Sequence, residues 1–174
     1  TSITPFGHSG PYRDYKGYDI NCCALGGASW AIGDPHREPL SLPLSQSHYQ
    51  AGANAAAATM AALLAREATG RGQHVDISEA DVLSFYSGSN SLMYIFHDNR
   101  WRRAGYRAPD SGGSYPYTVL PCKDGYVCMI ARSGQEWNRI VKMLGEPEWA
   151  KDPRYQDRQV MGREYPDEVD DLIL

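Results

Sequence analysis

The chain has 174 residues, 42% of them hydrophobic and 22% charged, the make-up of a globular protein of one or two domains. A net charge of −4 and a pI near 5.7 provide no field for nucleic acid, and no apolar run approaches a membrane span, so neither partner is expected. The opening Thr1-Ser2-Ile3-Thr4-Pro5 has neither the charged nor the apolar region of an export signal, which makes the cytoplasm the expected location.

In chain order, Tyr18 and Asp19 read as a turn-to-helix junction. Cys22 and Cys23 follow as adjacent residues; they do not form the C-x₂-C knuckle of a structural zinc site, and reduced, buried thiols are expected instead. Gln50 to Thr69 is a run of strong helix formers with Leu and Met in its later half, stopped by Gly70 and Gly72, which tolerate the positive φ that ends a helix. A β-leaning segment, His74 to Ser78, comes at once. Ser78 and Asp81 match the S-x-x-D capping pattern, and Val82, Phe85, Leu92, Tyr94 and Phe96 supply apolar positions for a helix from about Glu79 to His97, weakened in its middle by Gly88.

A hinge-like stretch, WRRAGYRAPDSGG, separates a first part ending near Asn99 from a second beginning near Gly112. Beyond it, Tyr115–Cys122 and Tyr126–Ala131 are rich in Val, Tyr and Ile and are joined through Asp124-Gly125, a hairpin signal. Cys122 and Cys128 are expected to pack within these strands. Ser133 and Glu136 form another capping pattern, and Trp137, Ile140, Val141 and Leu144 make one helical face ended by Gly145 and Pro147. A last helix opens near Pro166 and is expected to bury Val169, Leu172 and Ile173. The alternation predicts an α/β chain with a separate antiparallel subdomain.

Three segments, TSITPFGHSGPYRDYKGYDINCCALGG, LSQSHYQAGANAAAATMAALLAREATGRGQHVDIS and PYTVLPCKDGYVCMIA, together resemble the class III CoA-transferases. That family includes formyl-CoA and carnitine CoA-transferases and 2-methylacyl-CoA racemases, and the segments come in its order. The resemblance implies part of a Rossmann-like large domain over residues 1–99, a linker and glycine-containing loop over 100–114, and a small α+β domain over 115–174. It covers only the middle of a longer family pattern, so the chain reads as a fragment or a short form. It further implies CoA or an acyl-CoA as substrate, no metal, and a homodimer of interlocked subunits.

The family's transferases use an aspartate as nucleophile, forming an acyl anhydride that CoA thiolate converts to a thioester. Counting back from Thr69 in T-G-R-G-Q places His48 at that position. Ser47 and Tyr49 flank it, so no one-residue shift restores an acid. His48 is read either as a histidine bonded to the backbone or as a substitute base or nucleophile. In the racemase branch a histidine in G-H-D-I-N moves the α-proton; here Gly17-Tyr18-Asp19-Ile20-Asn21 puts Tyr18 there, which disfavours racemisation. Tyr18 and Asp19 match transferase residues that lie beside the thioester and orient the carboxylate. Lys16 falls where transferases place a lysine near CoA, with a solvated loop residue as the other reading. Gly112 and Gly113 resemble the glycine loop that closes over the family's site, and Arg71 is a family marker expected to pair across the dimer. His8, His36, His74 and His97 lack the H-x₃-H spacing of a metal site.

Two functional classes follow: a CoA-transferase-like enzyme impaired by His48 and by truncation, and a non-catalytic protein that binds an acyl-CoA or another subunit.

Overall fold

The structure, a computed structural model, describes residues 1–86, 92, 94–96, 98, 102–107 and 114–174. They divide into two compact units, Thr1–Arg103 and Ala104–Leu174.

The first unit opens with β1 (Ser2–Thr4), followed by the short helices α1 (Asp19–Leu25) and α2 (Ala28–Ala31). The long α3 (Gln46–Thr69), β2 (Asp76–Ser78) and α4 (Glu79–Tyr86) complete its named elements. β1 and β2 pair in parallel, with Ser2 opposite Asp76 and Thr4 opposite Ser78. α3 starts one turn before the expected Gln50 and ends where expected, because Gly70 takes φ +71° and its N–H reaches the Arg66 carbonyl. Its buried residues, Ser47, Ala51 and Ala55, recur every fourth position. Small side chains on that stripe let the neighbouring helices approach closely.

α4 begins at the expected place, where Ser78 Oγ accepts from the Asp81 N–H at 3.2 Å. Its buried anchor is Leu83, whereas Phe85 is 76% exposed, so the apolar face differs from the expected one. Leu83 joins Cys22 and Cys23 in the core of this unit, with Phe6 and Leu42 packed against them. Two glycines are dictated by crowding: a Cβ on Gly26 would sit 2.7 Å from the Leu83 Cβ, and one on Gly17 would sit 2.6 Å from the Pro5 Cβ. The two ends of α1 therefore meet α4 and the chain just after β1 at a distance only glycine permits.

The second unit holds the hairpin β3 (Tyr117–Cys122) and β4 (Gly125–Ile130), antiparallel with Tyr117 opposite Ile130 and Cys122 opposite Gly125. Lys123 and Asp124 form the turn. Cys122 and Cys128 lie in the strands but are exposed, a correction to the expected burial: β3 buries Thr118 and Leu120, and the side chains of β4 face outward apart from a half-buried Met129. α5 (Gly134–Met143) is capped by Ser133, whose hydroxyl accepts from the Glu136 N–H, and Gly145 at φ +85° follows its end. Two 3₁₀ turns, Glu148–Lys151 and Pro153–Tyr155, lead to α6 (Arg158–Glu164) and α7 (Pro166–Ile173).

The core of this unit is aromatic. Tyr115, Trp137, Tyr155, Met161 and Val169 are buried together, and Tyr115 meets Trp137 edge to face at 5.9 Å. Val169 is buried as expected, but Leu172 is 39% exposed, because the face of α7 turned to the core carries Asp170 instead. That carboxylate accepts from the Tyr115 hydroxyl at 2.6 Å and from Arg107 at 2.5 Å. Burial and the adjoining carboxylate push the Tyr115 phenol well above its ordinary range, keeping it a donor.

The chain is thus mixed α/β with a two-stranded antiparallel sheet. Among the described residues the parallel sheet has two strands.

Candidate active site

α3 enters from an unusual backbone. Leu44 and Ser45 both take left-handed conformations, with φ of 61° and 51°, and Ser45 offers no side-chain cap to the helix. The uncapped N-terminus is served instead by another element. Asp19, the first residue of α1, accepts from the Ser47 N–H at 2.8 Å and from the Ser47 hydroxyl at 2.7 Å, both on Oδ1. A carboxylate at this point satisfies an orphan amide and faces the positive end of the α3 dipole.

The Ser47 hydroxyl also lies 3.0 Å from Glu79 Oε2 at the start of α4. The same oxygen of Glu79 is 2.9 Å from His48 Nδ1. Ser47 is wholly buried and Glu79 is 7% exposed, whereas the His48 side chain is 52% exposed. Three helices thus contribute to one polar cluster: Asp19 from α1, Ser47 and His48 from α3, and Glu79 from α4. Cys22 and Cys23 line its inner side. Cys23 Sγ lies 3.7 Å from Asp19 Oδ2, and Cys22 Sγ contacts the Pro5 carbonyl at the same distance. Burial first, and then the Glu79 charge, pushes the Cys22 thiol up to about 12; burial likewise raises Cys23. Neither thiol is an available nucleophile.

A buried carboxylate costs free energy unless donors satisfy it. Glu79 accepts from His48 Nδ1 and Asp19 from the Ser47 N–H, while the single Ser47 hydroxyl proton is shared between the two carboxylates. The outcome is a half-exposed imidazole with a buried acid behind it. Such a ring accepts or donates a proton at its outward nitrogen.

The structure brings His48 and Asp19 of the expected site residues into one cluster, bridged by Ser47. Tyr18 adjoins Asp19 in sequence, but its side chain is 71% exposed; its backbone N–H donates to Asn21 Oδ1 at 3.0 Å at the start of α1. Lys16 is exposed in the loop before α1 and makes no hydrogen bond among the described residues. Arg71 is exposed just past the end of α3. Gly112 and Gly113 lie outside the described residues. Glu79 is the residue that sequence reasoning missed. Its signal was an acid immediately after Ser78, at a position read only as the beginning of a helix.

The sequence profile of CoA-transferase family III matches residues 1–173. The chain is 33% identical over 157 residues to the succinyl-CoA:(R)-benzylsuccinate CoA-transferase subunit BbsE of Thauera aromatica, covering 86% of this chain and 36% of that protein. It is 30% identical over 154 residues to the succinate–glutarate CoA-transferase of Agrobacterium fabrum, covering 88% of this chain and 38% of that one. Among solved structures, a CAIB/BAIF family protein from Brucella suis superposes with a TM-score of 0.76 at 28% identity, covering 98% of this chain and 44% of that chain. The chain therefore spans well under half the length of these relatives.

Proposed function

Because this chain belongs to CoA-transferase family III, we propose that it handles acyl-CoA thioesters at the Asp19, Ser47, His48 and Glu79 cluster but does not transfer CoA between carboxylic acids. What supports this reading is His48, which by counting back from T-G-R-G-Q falls at the position of the family's nucleophilic aspartate, and which is half exposed at the N-terminus of α3. Anhydride formation needs a carboxylate oxygen that attacks an acyl carbon. The two acids nearest His48 are committed elsewhere: Glu79 is buried and bonded, and Asp19 caps α3. We read residues 1–99 as part of a Rossmann-like large domain, with Lys16 offering an ammonium to a CoA phosphate. The region 100–114 links it to the small α+β domain over 115–174.

The second reading is a non-catalytic subunit that binds an acyl-CoA or another chain. The relative from Thauera aromatica is itself described as a subunit of its enzyme, which favours this reading for a chain without the nucleophile. In either case homodimers are the assembly we propose, and the cytoplasm the location.

The test is incubation of the protein with succinyl-CoA and ¹³C-labelled carboxylates, with mass spectrometry of the thioester pool. The expected result is no label entering CoA thioesters at an enzymatic rate. Substitution His48→Asp returns the carboxylate to the helix end and is expected to bring label into the thioester. Clear exchange by the unmodified chain would refute the reading.

A further inference from the structure

The pairing of His48 with Glu79 is not foreseen by counting along the chain, and it changes what the histidine can do. Nδ1 of His48 lies 2.9 Å from Glu79 Oε2. With the Glu79 oxygen as acceptor, Nδ1 is the donor of this contact, which leaves the ring's free lone pair on Nε2. Among the described residues Nε2 has no hydrogen-bond partner, and the ring is on the half-exposed side of the cluster. Behind it the order is fixed: Glu79 is buried against the Ser47 hydroxyl, and Ser47 is held twice by Asp19. The two thiols beside the carboxylates stay protonated, so they do not compete for the role.

A buried acid that fixes the tautomer of a half-exposed imidazole is the arrangement by which hydrolytic sites prepare a general base. We propose that His48, positioned by Glu79, is the general base of an acyl-CoA thioester hydrolysis carried out at this site. Nε2 takes a proton from water as the water oxygen attacks the thioester carbonyl carbon. The tetrahedral adduct then expels CoA: the C–S bond breaks, the sulfur leaves with the electron pair, and the proton held on Nε2 passes to it. The sum is acyl-CoA plus water giving a carboxylic acid plus CoA, with no oxidant or metal in the balance. The inference rests on the reading that the site takes an acyl-CoA. It differs from the family reaction in its acceptor, which is water and not a protein carboxylate.

The experiment uses the full-length protein with acetyl-CoA and succinyl-CoA, following binding by calorimetry and CoA release by liquid chromatography against a protein-free blank. Binding with release above the blank is the expected result, and His48→Gln should lower that release by about 10²-fold or more while leaving binding in place. Binding without release above the blank overturns the hydrolase and leaves the acyl-CoA reading standing. Absence of binding overturns both. An acyl adduct on His48 in the mass spectrum, in place of direct water attack, also overturns the proposed step.

Glu79 needs its own readout because a buried residue can matter for folding alone. In ¹⁵N NMR of the imidazole, the unmodified protein should show the proton on Nδ1, and Glu79→Gln should remove that preference and cut hydrolysis by about tenfold or more. An unchanged tautomer with reduced hydrolysis would assign Glu79 a structural role and overturn its part. His48→Gln, at a half-exposed position, decides the base even where Glu79→Gln fails to fold.

Discussion

Cys22 and Cys122 carry the same side chain in opposite settings, and their behaviour separates cleanly. Cys22 and Cys23 are 0% exposed in the first unit, while Cys122 and Cys128 are exposed on the hairpin. Brief alkylation at pH 8 is expected to modify Cys122 and Cys128 alone; peptide mass spectrometry checks it, and prompt modification of Cys22 would contradict the burial. The same residue sets a pH dependence. The Cys22 pKa is raised in the folded protein from 9.0 to about 12, so the folded state holds that proton more tightly than the unfolded state. Its contribution to stability is intact below pH 9 and is lost as pH rises toward 12, at a slope of up to about 1.4 kcal/mol per pH unit. Urea midpoints measured from pH 8 upward should fall with that sign, and Cys22→Ala should flatten the Cys22 part of the fall.

At the scale of elements, β3 contains a testable flaw. Thr118 is 2% exposed, and its Oγ1 has no hydrogen-bond partner among the described residues. A buried hydroxyl without a partner costs more than a methyl group of the same shape. Thr118→Val is therefore expected to stabilise the protein by about 1 kcal/mol, read as a higher urea midpoint. The hairpin that carries it was legible beforehand, because Asp124-Gly125 between two β-branched and aromatic runs is a local signal. So were α5, whose cap, helix formers and terminal glycine lie within a few residues of one another, and the end of α3, where the helix formers run into Gly70. The face of α4 was not, since Phe85 and Leu83 are both apolar and only the approach of α1 decides which is buried. The site divides in the same way. His48 was found by counting from T-G-R-G-Q, whereas its partner Glu79 is 31 residues away and meets it only because α3 and α4 pack together. Asp19 was singled out for chemistry, but its cap on α3 joins two helices whose contact no periodicity reveals.

For the whole molecule, the most consequential surface is on the first unit. Tyr49, Met60 and Leu64 of α3 are 68%, 60% and 65% exposed, and Phe85 of α4 is 76% exposed. Side chains of this kind are what the proposed homodimer would cover. No helix among the described residues is long and apolar enough to cross a membrane, so these side chains do not form a helical span. A homo-oligomer is the expected state, and light scattering at micromolar concentration should return a mass of two chains or more. A monodisperse single chain would count against it.

The pairing of Ser2 with Asp76 also imposes an order in time. Helices α1 and α3 are built from contacts a few residues apart, whereas β1 has to close a loop around both of them before it finds β2. Loop closure carries an entropic cost that local helix formation avoids. The parallel pair is therefore expected to form late in the folding of the first unit, after the cap of Asp19 on α3. The cluster around His48 is then expected to take shape before β1 pairs, an order that pulse-labelled hydrogen exchange of the β1 and α3 amides would check.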